Sequence, residues 1–133
     1  MEDQPTTFSE IEQRFHSMPL TKYEIPEALE QEWLKSAVED YELDLDQKLN
    51  YSSESLAFAS KLPGQTIRLL AMMMYVSYLQ RELSRVMALN GIYGKDLKIT
   101  GGDETKRVTR QELENEIYRV NVRLHKMKQH SFN

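Results

Sequence analysis

The sequence predicts an all-α protein: a small helical bundle with a long central helix, a glycine-containing loop or short hairpin, and an extended C-terminal helix. Three observations carry this. Residues 65–90 hold no glycine or proline and are rich in Leu, Met, Ala, Gln and Arg, all good helix formers. Leu29, Trp33, Ala37 and Tyr41 recur every four residues, which places them on one helix face. Leu113, Ile117, Val120, Leu124 and Met127 follow a 4, 3, 4, 3 spacing, the narrow seam of a coiled coil.

The chain has 133 residues, of which 40% are apolar and 29% charged, enough for one ordinary core and too few for two. The absence of cysteine excludes a disulfide framework, a thiol nucleophile and thiolate metal sites. The first residues are acidic and lack the basic and apolar blocks of a signal peptide, so no secretion is expected. The longest apolar stretch, Leu69 to Leu79, falls short of the ~20 residues that cross a bilayer, so no membrane partner is expected.

In chain order, residues 1–8 read as a loose tail. Ser9-Glu10-Ile11-Glu12 is a capping box, in which serine and glutamate satisfy each other's orphan backbone donors, and it predicts a short helix ending before Pro19. Pro26 suits a first helical position, and Glu27 and Glu30 complement the positive end of the dipole, so a second helix is predicted over 26–41. Beyond Tyr41 two readings stand. Tyr41/Leu43/Leu45 alternate as in a strand, while Tyr41, Leu45 and Leu49 permit continued helix. Asn50 to Ser53 reads as a turn and cap, and Glu54 to Lys61 as a short helix closed by Leu62-Pro63-Gly64.

The main helix over 65–90 would be ~39 Å long. Its first half is apolar nearly all round and demands cover from several elements, so Trp33, Leu34, Leu69, Leu70 and Met73 are expected in the core. Residues 91–108 hold four of the five glycines and read as a loop or short hairpin, with Leu97 and Ile99 in the strand of such a hairpin. Thr109-Arg110-Gln111-Glu112 is a second capping box, opening a helix from 110 to about 129. The expected organisation is therefore a helical core over 1–90, a flexible segment over 91–108 and a helical arm over 109–133. A seam so narrow wants one partner helix, and an intermolecular partner is favoured, with the glycine-rich segment ordering on assembly.

Net charge is −4, but unevenly spread: residues 1–60 carry 14 acidic and 4 basic side chains, whereas 95–133 carry 9 basic and 6 acidic. No patch is basic enough to displace many counterions from duplex DNA, which argues against a dedicated nucleic-acid binder. Polarity of this kind suits head-to-tail contact between copies or docking on a charged partner, with the acidic half meeting Lys95, Lys98, Lys106, Arg107 and Arg110 of a neighbouring copy or partner.

No catalytic residue, cofactor or metal is assigned from the sequence. His16, His125 and His130 lack the spacing of a ligand set and read as surface residues. Asp40, Glu42, Asp44 and Asp46 lack the turn glycine and distal glutamate of a calcium loop, and read as an acidic edge or subunit contact. Gly91-Ile92-Tyr93-Gly94 and Gly101-Gly102 match no phosphate-binding loop, and no base accompanies Ser52, Ser53, Ser55 or Ser60. Met72-Met73-Met74 reads as core filling. The chain is therefore expected to be a non-enzyme acting through partners, with Leu113, Ile117, Val120, Leu124, Met127, Lys106, Arg107 and Arg110 as partner-binding residues.

The proline-started helix with Trp33-Leu34-x-x-Ala37-Val38, the linker from Asp44 to Asn50, the long Leu/Met-rich helix ending Arg81-Glu82-Leu83, the glycine-bearing loop and the terminal helix together resemble the head-to-tail connector (adaptor) proteins of tailed bacteriophages. The resemblance covers about residues 24–90. Thr100 to Arg107 and the long C-terminal helix depart from the commoner pattern. The resemblance implies a ring, commonly of twelve copies, that joins the portal protein to further neck or tail proteins. It also implies a place in the virion neck, synthesis in the bacterial host cytoplasm, and passive contact with packaged DNA without sequence-specific binding. The other function class is a small dimeric regulatory or scaffold protein acting through its coiled-coil-like C-terminal helix.

Overall fold

The computed structural model describes residues 4–20, 25–93 and 102–131, and the side chains of 4–20, 25–87 and 104–129. Four helices make up most of it: α1 (Phe8–His16), α2 (Glu27–Leu45), α3 (Gly64–Tyr93) and α4 (Gly102–Ser131), with a two-stranded hairpin, β1 (Tyr51–Ser52) and β2 (Ala57–Phe58), between α2 and α3. The all-α expectation holds. The other three helices all pack on α3, α4 most extensively.

Helix α1 begins two residues earlier than the capping box predicts. Thr7 is the cap, with extended backbone and a side-chain oxygen that accepts from the Glu10 amide at 3.4 Å, and Ser9 lies inside the helix. The reason is tertiary. Phe58 N donates to Thr6 O at 2.9 Å and Phe8 N to Leu56 O at 2.8 Å, so the hairpin holds residues 6–8 extended up to the first helical turn. Leu62 N also donates to the buried Thr6 hydroxyl at 2.9 Å.

Helix α2 buries Trp33, Leu34, Ala37, Val38, Tyr41 and Leu45, the stripe read from the sequence. It continues through the ambiguous stretch to Leu45 and stops at Asp46, which takes a left-handed conformation at φ 51°. Leu43, on the far face, is 81% exposed. The four-residue series thus prevails over the two-residue alternation: Tyr41 and Leu45 reach the core, while Leu43, which a strand would set on the same face as both, points to solvent.

The short helix expected over Glu54 to Lys61 is a correction: the segment is the antiparallel hairpin, with Tyr51 opposite Phe58 and Ser52 opposite Ala57. Asn50 and Leu56 have φ of 54°, which no helix tolerates. Thr7 pairs with Ala57, so residues some fifty positions upstream complete what the local pattern cannot express.

Helix α3 runs three residues past its predicted end and forms a spine of about 45 Å. Leu69, Leu70, Ala71, Met72, Met74, Tyr75, Tyr78 and Leu79 are buried, as an all-round apolar half requires. Trp33, Leu34, Leu69 and Leu70 are in the core as expected, while Met73 is partly buried at its margin. Phe15, Trp33 and Tyr78 meet edge-on at 6.0–6.4 Å and lock α1, α2 and α3 together.

Residues 102–108, expected in the loop or hairpin, are helical. The predicted cap at Thr109 is therefore not used, because α4 starts at Gly102 and carries Thr109 to Glu112 in its interior. Gly91 to Tyr93 likewise belong to α3. Leu97 and Ile99 lie outside the described residues.

Candidate functional site

The 4, 3, 4, 3 seam of α4 lies on its own chain. Val120 and Leu124 are buried in the same cluster as Leu69 and Leu70, and Leu113 and Met127 are partly buried against it. Ile117 is 37% exposed. The favoured intermolecular partner is thus corrected: α1 and α2 leave one side of the apolar half of α3 uncovered, and α4 covers it. Burying that strip within the chain needs no second molecule.

Packing α4 on α3 creates a cleft on its outer side. About 670 Å³ in volume, it is lined by Met18 and Pro19, by Arg68, Met72 and Tyr75 of α3, and by α4 from Glu112 to Lys126. A second groove of about 710 Å³ runs between α1, the start of α3 and α4, with Arg14, Arg68 and Arg123 in its walls. Arg68 and Arg123 border both. Arg68 of α3 and Arg123 of α4 are far apart in sequence, and the antiparallel packing of the two helices brings them together with Arg119 and Lys126. A basic surface thereby forms over an apolar floor that includes Met72 and Val122.

Two carboxylates temper it. Glu116 is buried and accepts from Arg119 at 3.4 Å, which leaves the Arg119 side chain 65% exposed to solvent. Tyr75 is buried and donates its hydroxyl proton to Pro19 O at 2.9 Å. Its pKa is pushed up to about 12, first by burial and then by the Glu112 carboxylate. At neutral pH it is a neutral hydrogen-bond donor that fixes the 18–19 segment to the cleft edge, and not a nucleophile.

The opposite charge gathers at the end of α2. Glu39, Asp40, Asp44 and Asp46 are exposed there around Leu43, and the last turn of the helix holds no basic residue. Carboxylates at a helix C-terminus face the negative end of the dipole, so this arrangement costs the fold stability. The Asp40 carboxyl is raised above its usual range by burial and by the charges of Asp44 and Glu39.

Acidic knob and basic cleft are on different sides of α3. Thr66 takes the Tyr41 hydroxyl of α2 at 3.1 Å, while Arg68 lines the cleft. Two residues apart in a helix, they project about 200° from one another.

Of the cations expected to meet an acidic neighbour, Arg107 and Arg110 are exposed on the first part of α4, Lys106 is partly buried, and none of the three lines the cleft. Arg107 approaches Glu104 at 3.6 Å. Lys95 and Lys98 lie outside the described residues. The sequence reading missed Arg68, Arg119, Arg123 and Lys126 as a group. The signal available was the absence of acidic residues from 117 to 131, with Arg119, Arg123 and Lys126 spaced to share one helix face.

One cluster among the described residues has the composition of a metal site: Glu12, His16 and Glu30 each present a ligand atom within 4.8 Å of the others. The sequence reading placed His16 on the surface, outside any ligand set. Its Nε2 lies 2.7 Å from Glu30 Oε1.

No family model matches the chain, and no curated protein or solved structure matches it. Among the described residues no helix is long and apolar enough to cross a membrane.

Proposed function

We propose that the protein is a structural subunit, not an enzyme, that assembles head-to-tail with copies of itself into a ring, in the manner of a bacteriophage head-to-tail connector. The carrying observation is the placement of the acidic knob around Leu43 and the basic cleft around Arg68 and Arg123 on different sides of α3. Complementary patches on different sides of one subunit give a heterologous contact, which closes into a ring when the rotation per copy permits. The knob reduces the stability of its own helix, as expected for a surface kept for a partner. In this reading the ring joins a portal protein to further neck or tail proteins in the virion, is made in the host cytoplasm, and touches packaged DNA only passively.

Sedimentation and negative-stain imaging test the proposal. Rings are expected at low salt, dissociating as ionic strength rises. Arg68→Glu with Arg123→Glu should abolish them, and mixing that variant with Asp40→Lys/Asp44→Lys should restore association of the two. A chain that stays monomeric at every salt concentration, or associates regardless of these reversals, overturns it.

The second reading, a dimeric regulatory or scaffold protein acting through α4, draws on the exposure of Ile117 and Tyr118, which is 70% exposed. It requires a closed dimer that is indifferent to salt and sensitive to Ile117→Asp.

A further inference from the structure

Glu12 and His16 are one helical turn apart on α1, so their side chains share a face. That face looks toward the first turn of α2, where Glu30 is buried: its side chain is 3% exposed, against 49% for His16. The frame is rigid, because Ile11 and Phe15 on either side of Glu12 are fully buried and Phe15 meets Trp33 edge-on. We propose that Glu12, His16 and Glu30 form a binding site for one divalent ion of the zinc class, which staples α1 to α2.

A carboxylate as buried as Glu30 needs a cationic partner or a proton nearby. Two carboxylates and one imidazole supply three negative or neutral donors and no permanent positive charge. A divalent ion held between them supplies positive charge to both carboxylates at once. One imidazole nitrogen with two carboxylate oxygens suits zinc, cobalt or manganese better than calcium, which takes an all-oxygen shell of six to eight ligands. Zinc bonds of ~2.0–2.2 Å place tetrahedral ligands roughly 3.4 Å apart, so His16 and Glu30 need separate by only ~0.7 Å from their hydrogen-bonded distance. His16 has the exposure to make that adjustment, and its open side leaves one coordination position to water.

Titration calorimetry of chelator-treated protein with zinc chloride, together with the visible spectrum on adding cobalt chloride, tests the site. One equivalent of zinc is expected to bind and to raise the thermal midpoint. Glu12→Gln and His16→Asn, both at positions that keep the fold, should each weaken binding at least tenfold, while His125→Asn leaves it unchanged. The absence of saturation at one equivalent, or affinity that survives either Glu12→Gln or His16→Asn, overturns the proposal. An equal response to calcium chloride overturns the zinc-class assignment.

Discussion

The ring of Phe15 meets that of Trp33 edge-on, with centroids 6.0 Å apart and planes inclined at 75°. Through this pair α1 is tied to α2, and Tyr78 of α3 closes the triangle. Phe15→Ala should cost about 3–5 kcal/mol, since it empties a fully buried site. Trp33 is the sole tryptophan, so its fluorescence follows urea unfolding and its emission should shift to the red in the variant. A loss below ~1 kcal/mol would show that α1 is not part of the cooperative core.

The two exposures on the α4 seam make opposite predictions for similar substitutions. Leu124 is 7% exposed and belongs to the shared core, so Leu124→Asp should unfold the whole domain by burying an unpaired charge. Ile117→Asp, at a 37% exposed site, should shift stability by less than about 1 kcal/mol. Thermal melts of the two variants decide whether α4 belongs to this core.

Tyr75 predicts an alkaline dependence. Its ordinary pKa of 10.0 is raised to about 12 in the folded chain, so its contribution to stability is complete below pH 10 and is lost as pH rises through 12. Tyr75→Phe removes the hydrogen bond to Pro19 O, which should cost about 1 kcal/mol at neutral pH. The variant should also lose less stability than the parent between pH 10 and pH 12. Denaturant titrations at the three pH values measure both effects.

Leu43 separates assembly from folding. At 81% exposure, Leu43→Ser should change stability by no more than ~0.5 kcal/mol. The same substitution should weaken self-association, because Leu43 is the apolar centre of the acidic knob. Sedimentation alongside a thermal melt reads the two separately, and association equal to that of the parent would remove Leu43 from the contact.

Much of this protein is legible in its residues one after another. Helix α3 was predicted because 26 successive residues hold no breaker, and α2 because its apolar positions keep a four-residue period. The seam of α4 was equally plain, as was the acidic character of the first half of the chain. These are local properties, set by backbone propensity and by which side chains share one face. The sequence reading placed His16 on the surface and did not pair it with Glu12, although the two stand four residues apart.

What the tertiary structure alone decided is which distant partners those faces met. A seam states that a helix needs a partner but not which one, and here the uncovered side of α3 in the same chain provides it. The hairpin and the Thr7 cap depend on backbone bonds between residues 6–8 and 56–60, so a local reading gave a short helix in one place and the wrong cap in the other. Gly102 to Val108 continue α4 as helix, although the local reading took their glycine for loop. The candidate sites follow the same rule. Arg68 converges with Arg123, and Glu30 with His16, only when helices far apart in sequence are packed side by side, because charge and ligation act over a few ångströms of space and not over positions along a chain.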